Sequence, residues 1–219
     1  MIKANKKPWF DSLFTRYLDR LMRKHFSHFY IIGDFPSVPD EISVTLAPNH
    51  FSWWDGFFIQ RLQREFLPNK NFHILMLSEQ LKVYRFFNWM GAYGIDLNDT
   101  KSIIKTIKYT REILSRGENL TVIYPQGEIQ PYDIRPLILK EGISKFVGGL
   151  GDSSCVIPVG FKVQYEEDKL PSLYCSAGKP LFASEVENDF KGFEAAFMGN
   201  LKNLDEKSAQ KVFQKDLFK

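Results

Sequence analysis

The stretch APNHFSWWDGFF, residues 47–58, sets a histidine and an aspartate five positions apart among aromatic residues. The imidazole of His50 can take a proton from an attacking hydroxyl. A carboxylate on its other ring nitrogen, that of Asp55, would fix the tautomer and stabilise the imidazolium as it forms. Geometry limits how the two can meet. On one straight helix, residues five apart are rotated by roughly 500°, a net 140° or so. Contact therefore requires a loop-to-helix break between them. Ser52-Trp53-Trp54-Asp55 supplies one, because it has the form of a capping box with Asp in the usual Glu place. Ser52 is expected as the N-cap, with His50 in the preceding loop and Asp55 facing back from the first turn. The same residues also fit a plain helix start beside a surface histidine, and the spacing alone does not choose.

Stepping outward, the sequence must supply strands and helices to hold this turn. YIIGDF and ISVTLAP read as strands, and a helix is expected from Trp53 to Glu65. FHILML is a strand candidate. Glu79 to Met90 is expected to be one short, mostly buried helix, followed by a strand at GAYGIDL. Asn98 or Asp99 can cap a helix running to Arg116, with Gly117 as its C′ stop. NLTVIYP is an apolar strand entering a loop, and Ser144 to Leu150 has the pattern of a short helix. SCVIPVGFKV and SLYCSAGKP form a strand pair. Phe190, Phe193, Phe197, Leu201 and Leu204 recur at helical spacing near the end. Strands alternating with helical stretches predict an α/β fold: a mixed, mostly parallel sheet covered by helices.

A chain of 219 residues accommodates one substantial core, and its net charge is only +3. The placement of that charge is informative. Seven basic residues (Lys3, Lys6, Lys7, Arg16, Arg20, Arg23 and Lys24) face Asp11 and Asp19 within residues 1–28, leaving +5 there and −2 in the rest. Trp9, Phe10, Leu13, Phe14, Tyr17, Leu18 and Leu21 line one face of a helix in this segment. Asp11, Ser12, Thr15, Arg16, Asp19, Arg20, Arg23 and Lys24 line the other. Residues 1–28 are thus expected to form an amphipathic helix that packs on the main domain or lies in a lipid interface, and 29–219 the main domain. Cys155 and Cys175 form no disulfide framework and are expected to be reduced core residues. No secretory signal and no run of about 18 uncharged apolar residues is found, so the expectation is a cytoplasmic protein, peripheral on the membrane face.

Several other chemistries lack their residues. No G-x-S-x-G nucleophile elbow is present. GGLG at 148–151 is too little for a nucleotide site. His25 and His28 have no companion cluster for a metal and read as helix-surface residues. The basic start raises nucleic-acid binding as a class, but no nucleic-acid motif accompanies it.

The order NHFSWWD, GAYGIDL, YPQGE and VIPVGF resembles the motifs of the glycerolipid and lysophospholipid acyltransferases over residues 40–165. The first family motif, N-H-x₄-D, is matched by Asn49, His50 and Asp55. The second, G-x-x-F-I-x-R, falls on Gly91 to Leu97. The third, F-P-E-G-T-R, falls on Tyr124 to Ile129, and the fourth on Val156 to Val159. The resemblance implies a glycerol-3-phosphate acyltransferase-like fold. It also implies transfer of a fatty acyl group from acyl-CoA or acyl-carrier protein to a lipid hydroxyl, with no cofactor. His50 would be the general base and Asp55 its orienter. Asn49, Tyr124, Pro125, Gln126, Gly127, Glu128 and Arg135 are the candidate substrate-binding residues. Three departures stand out. Leu97 occupies the arginine position of the second motif, and Glu128-Ile129 replace Thr-Arg in the third. Gln126 replaces the usual Glu. The missing arginines are associated with acceptor phosphate in the family, so the expected acceptor is not a simple phosphate-headed glycerolipid. The non-enzymatic alternative is a membrane-surface lipid-binding protein.

Overall fold

The computed structural model describes residues 1–219 apart from the side chain of Asp11, whose expected place on a polar helix face lies outside the described residues. The elements in chain order are α1 (Pro8–His25), β1 (Phe29–Ile32), β2 (Ser43–Pro48), α2 (Asp55–Phe66), β3 (Asn71–Leu77), α3 (Ser78–Val83), α4 (Phe86–Trp89), β4 (Ala92–Ile95), α5 (Thr100–Leu114), β5 (Asn119–Val122) and α6 (Gly142–Val147). After a 3₁₀ turn at Gly151–Ser153 follow β6 (Ser154–Gln164), β7 (Ser172–Ala177), β8 (Leu181–Phe182), α7 (Ala183–Asn188), α8 (Phe190–Ala209) and β9 (Lys215–Asp216). The strands form one sheet in the order β4-β3-β5-β2-β6-β7-β1-β9, with β8 on β6. Strand β2 runs parallel to both β5 and β6, and β3 runs parallel to β4 and β5. The β6–β7 and β1–β9 pairs are antiparallel, which makes the sheet mixed but mostly parallel, as the strand–helix alternation predicts.

Successive strand residues face opposite sides of a sheet, and two cores follow from that alternation. Leu46 joins one with Leu18 and Met22 of α1 and Phe57, Phe58 and Leu62 of α2. Ala47 joins the other with Leu114 of α5, Phe146 of α6, Val186 of α7 and Phe193 and Leu201 of α8. The central strands are buried on both faces, which is why they read as apolar runs rather than alternating ones.

Residues 1–28 are tied to the rest of the fold. Leu18 and Met22 are fully buried, and Ile2 exchanges backbone hydrogen bonds with Gly94. Other expectations shift locally. The segment from Glu79 to Met90 is two short helices, α3 and α4, because Tyr84 leaves helical geometry at φ −105°, ψ 64°. Helix α5 is capped by Asp99, which accepts the Lys101 N–H at 2.9 Å. Gly117 does not lie in the left-handed region and is not the C′ stop. Its role is a close approach, since a Cβ there would stand 2.2 Å from the Glu41 carbonyl oxygen. Its own carbonyl accepts from Lys70, whose ammonium also reaches the carbonyls of Pro39, Asp40 and Ile42. Together these bonds fix the loop that feeds β2. His28 is not on a helix surface either. It precedes β1 and sits between Asp216, at 2.7 Å, and Asp168, at 3.2 Å.

Gly117→Ala is expected to destabilise the protein by about 1–3 kcal/mol, because two backbone segments must separate to admit one methyl group. Urea denaturation of the variant against the parent measures this, and an unchanged midpoint would contradict the close-approach reading.

Candidate active site

Parallel α/β sheets bind ligands in the crevice beyond the carboxyl ends of their strands. The residues of interest lie there, at the ends of the neighbouring strands β2 and β5. Strand β2 ends at Pro48 and the chain turns through Asn49–Trp54 before α2 begins at Asp55. The turn is held by one carboxylate. Asp55 is fully buried, and its Oδ2 accepts three hydrogen bonds: His50 Nδ1–H at 2.8 Å, Phe51 N–H at 2.8 Å and Ser52 N–H at 2.9 Å. Because that oxygen already accepts two backbone protons, the imidazole proton belongs on Nδ1 and the lone pair on Nε2. Nε2 has no hydrogen-bond partner among the described residues, and the His50 side chain is partly open to solvent. The pair therefore has the form of a base with its orienting acid.

The expected capping box with Ser52 as N-cap is not formed, because α2 begins at Asp55 with Trp54 as its N-cap. Asp55 reaches back to the Ser52 N–H, while Ser52 Oγ accepts from Trp54 rather than from the Asp55 N–H. Burial pushes the Asp55 carboxyl above its ordinary range, and the His50, Ser52 and Phe51 donors oppose that rise. Asp55 Oδ1 and the Tyr124 hydroxyl are both buried without a hydrogen-bond partner. Burial, with the Asp55 charge adding to it, raises the Tyr124 hydroxyl well above the usual phenol value.

The other sequence-derived candidates fall into two groups. Asn49, Tyr124 and Gln126 are turned inward and contact protein. Asn49 accepts the Phe161 N–H at 2.7 Å and donates to the Phe161 carbonyl at 2.9 Å, tying the turn to β6. The Tyr124 ring stacks on the His50 imidazole, with centroids 4.2 Å apart and planes at 26°. Gln126 is fully buried and grips the His50 backbone. Its Oε1 accepts the His50 N–H at 2.6 Å and its Nε2 donates to the His50 carbonyl at 3.0 Å.

The remaining candidates lie on the loop beyond. Pro125 accepts the Lys140 N–H at 2.8 Å. Gly127, at φ 71°, turns the chain so that Gln126 points in and Glu128 points out, where it faces Lys140 at 3.5 Å. Arg135 is engaged locally. It lies over the Tyr132 ring, donates to the carbonyls of Tyr132 and Ile134, and pairs with Asp205 at 3.2 Å. The structure thus gathers His50, Asp55, Tyr124 and Gln126 and leaves Arg135 in an exposed cluster of its own. The sequence reading passed over Gln130, whose N–H donates to the His50 carbonyl at 3.0 Å. A contact made through backbone alone leaves no side-chain signature. Among the described residues no group of three or more His, Cys, Asp or Glu side chains is placed so that it could hold a metal ion.

A protein-family model described as Acyltransferase matches residues 35–162, more than half of the chain and the whole of this site. The chain belongs to the acyltransferase family. No curated protein sequence matches it. The fold is similar to the crystal structure of the 1-acyl-sn-glycerophosphate (LPA) acyltransferase PlsC from Thermotoga maritima, with a TM-score of 0.60 and 13% identity. That match covers 94% of this chain and 83% of the other. In this acyltransferase the positions where the motifs usually carry arginine hold Leu97 and Ile129, and both side chains are exposed.

Replacing Asp55 by Asn separates stability from activity. The carboxyl is raised on folding, so its ionisation opposes folding. Its contribution is favourable below the unfolded carboxylate value and is lost as pH rises through the folded value. The stability of the parent relative to Asp55→Asn is therefore expected to fall as pH rises across that range. A series of urea melts from acid to neutral pH checks the sign, and a parent that gains on the variant with rising pH would contradict it.

Proposed function

We propose that this acyltransferase moves a fatty acyl group from a thioester, acyl-CoA or acyl-carrier protein, to the hydroxyl of a lipid acceptor. The single observation that carries the reading is the His50–Asp55 pair, with Nε2 of His50 held as a partially exposed lone pair. In the proposed step, Nε2 takes the acceptor's hydroxyl proton as that oxygen attacks the thioester carbonyl. Asp55 stabilises the imidazolium. Collapse of the tetrahedral adduct breaks the C–S bond, and the proton passes from His50 to the departing thiolate. No acyl-enzyme forms, and the reaction needs no cofactor. A positioned base of this kind is worth about 10²–10⁴ in rate.

The acceptor we infer is a lipid without a simple phosphate head: a lyso-lipid with another headgroup, a glycolipid, an amino-acid lipid or a lipid alcohol. Leu97 and Ile129 support this, because neither can make the charge-assisted bonds that a phosphate favours. Arg135 does not compensate, since Asp205 and two carbonyls already engage it.

The acceptor would be met at a membrane surface, on the cytoplasmic side. Trp9, Leu13 and Tyr17 form an exposed stripe along α1. Through Phe10 and Trp89, then Phe14 and Phe57, ring contacts continue to exposed Trp53, which lies in the turn between His50 and Asp55. The basic residues Arg16, Arg20 and Lys24 are also exposed on α1, suiting it to an anionic lipid interface. No helix among the described residues is long and apolar enough to cross a membrane.

Two experiments test the reading. His50→Ala should abolish acyl transfer, measured by thiol release from palmitoyl-CoA against a panel of lyso-lipid and lipid-alcohol acceptors, while thermal stability stays near the parent's. Unimpaired transfer would remove the mechanism, and efficient turnover of lysophosphatidate would remove the altered-acceptor inference. For the surface, Trp9→Ser, Leu13→Ser and Tyr17→Ser together should weaken co-sedimentation with anionic vesicles by about tenfold or more. The three side chains are exposed, so the fold is expected to survive, and undiminished vesicle binding would assign the membrane contact elsewhere.

A further inference from the structure

Gln126 was a candidate for touching substrate, yet its amide is fully buried and both of its polar ends meet the backbone of one residue, His50. We propose that Gln126 is a positioning residue for the base: a neutral two-way clamp on the His50 main chain that a carboxylate at the same position could supply only when protonated. The inference rests on the reading of His50 as the base.

The donor–acceptor chemistry carries it. The His50 N–H needs an acceptor, and the His50 carbonyl needs donors. An amide offers one of each on a single planar group, and the identity of its partners fixes which end is oxygen. The carbonyl receives a second donor from the Gln130 N–H at 3.0 Å, so both ends of the His50 peptide frame are held by the loop that follows β5. The side chain of the same residue is held from a different element, by Asp55 at the start of α2, and its face is covered by Tyr124. With the peptide frame fixed on one side and Nδ1 fixed on the other, the χ angles of His50 are left with a single arrangement, and Nε2 keeps one direction.

An ionised carboxylate in place of the amide would accept the His50 N–H but would face the His50 carbonyl with no proton to share. It would also add a second negative charge, beside Asp55, to the surroundings of one imidazole. Opposite charges within a few ångströms raise an imidazole's affinity for protons. The neutral amide holds the base without that charge.

Histidine-selective NMR tests the clamp without a substrate, because the chain has only four histidines: His25, His28, His50 and His73. In ¹⁵N-histidine-labelled Gln126→Met, the ring nitrogens of His50 are expected to lose the Nδ1–H tautomer signature of the parent and move toward tautomer averaging. The other three residues report whether the fold is intact. In Gln126→Glu at pH 8, where the introduced carboxyl is ionised and offers no proton to the His50 carbonyl, the parent's His50 signals should likewise be lost. In acyl-transfer assays, Gln126→Met should lower kcat by about tenfold or more with KM little changed.

His50 signals in Gln126→Met that match the parent's would overturn the clamp, and so would parent-like His50 signals in Gln126→Glu at pH 8. A rise in KM with kcat unchanged would return Gln126 to a substrate-binding role. The outcomes separate from those of the reaction itself. Transfer that survives His50→Ala removes the base and leaves the NMR result standing. An inactive His50→Ala beside parent-like Gln126 variants removes the clamp alone.

Discussion

A carboxylate with no exposure to water has to be compensated where it stands, and the turn after β2 is the means of doing so for Asp55. Three N–H groups converge on its Oδ2, two from the backbone of the turn and one from the imidazole of His50. That convergence explains the spacing. Phe51 and Ser52 can aim their amides at one oxygen only if the chain curls around it, and the curl carries His50 to the same oxygen. The buried charge thereby shapes the backbone and orients the ring in one arrangement. Compensation is incomplete, since Oδ1 has no partner and burial still raises the carboxyl's proton affinity. An unmade hydrogen bond on a buried polar atom costs about 1–3 kcal/mol. A site kept at that cost is one where stability yields to chemistry.

The sheet order decides which elements can support this turn. Strand β2 lies between β5 and β6, and each neighbour sends one support to it. From β6, the Phe161 backbone takes the Asn49 amide in a paired hydrogen bond, which continues the β2–β6 ladder through a side chain. From beyond β5 come Tyr124, stacked on the imidazole, and Gln126, bound to the His50 main chain. Most of the polar residues in the family motifs are thus engaged in holding one another. The open edge of His50 and the side chains of Glu128 and Ile129 remain exposed.

This division explains what the sequence disclosed. The pairing of His50 with Asp55 was legible because both are local, and a loop-to-helix break was the only geometry that joined them. The sheet was legible from apolar runs separated by helical periods. The inward turn of Asn49 and Gln126 was not. Their partners, Phe161 and the His50 backbone, come from a distant strand and from atoms every residue shares. Gly117 misled for a related reason. A glycine after a helix fits a C′ stop, and nothing local reveals that the Glu41 backbone presses against it. Tyr84 breaks the helix expected from Glu79 to Met90 although the apolar spacing continues through it, and no local residue signal marks that break.

For the lipid acceptor proposed above, the aromatic surface that joins α1 to the turn after β2 would meet the hydroxyl where it is found, at the membrane surface. Drawing an acyl chain out of a bilayer costs about 0.8 kcal/mol per methylene, so roughly 12 kcal/mol for a chain of about fifteen. An enzyme acting on such an acceptor lowers its barrier most by bringing the base to the headgroup level and leaving the chain in the membrane. Trp53 sits three residues beyond His50 and in ring contact with Phe57, which joins it to the side chains of α1. The indole rings of Trp53, Trp89 and Trp9 suit the boundary between headgroup and hydrocarbon. Apolar Leu97 and Ile129 belong to the same logic. Strand β4 is three steps from β2 across the sheet, roughly 14 Å at the usual strand spacing, so an arginine at Leu97 would face a part of the acceptor remote from its reacting hydroxyl. On the proposed reading, the acceptor is then selected by how it lies in the lipid surface rather than by a phosphate clamp.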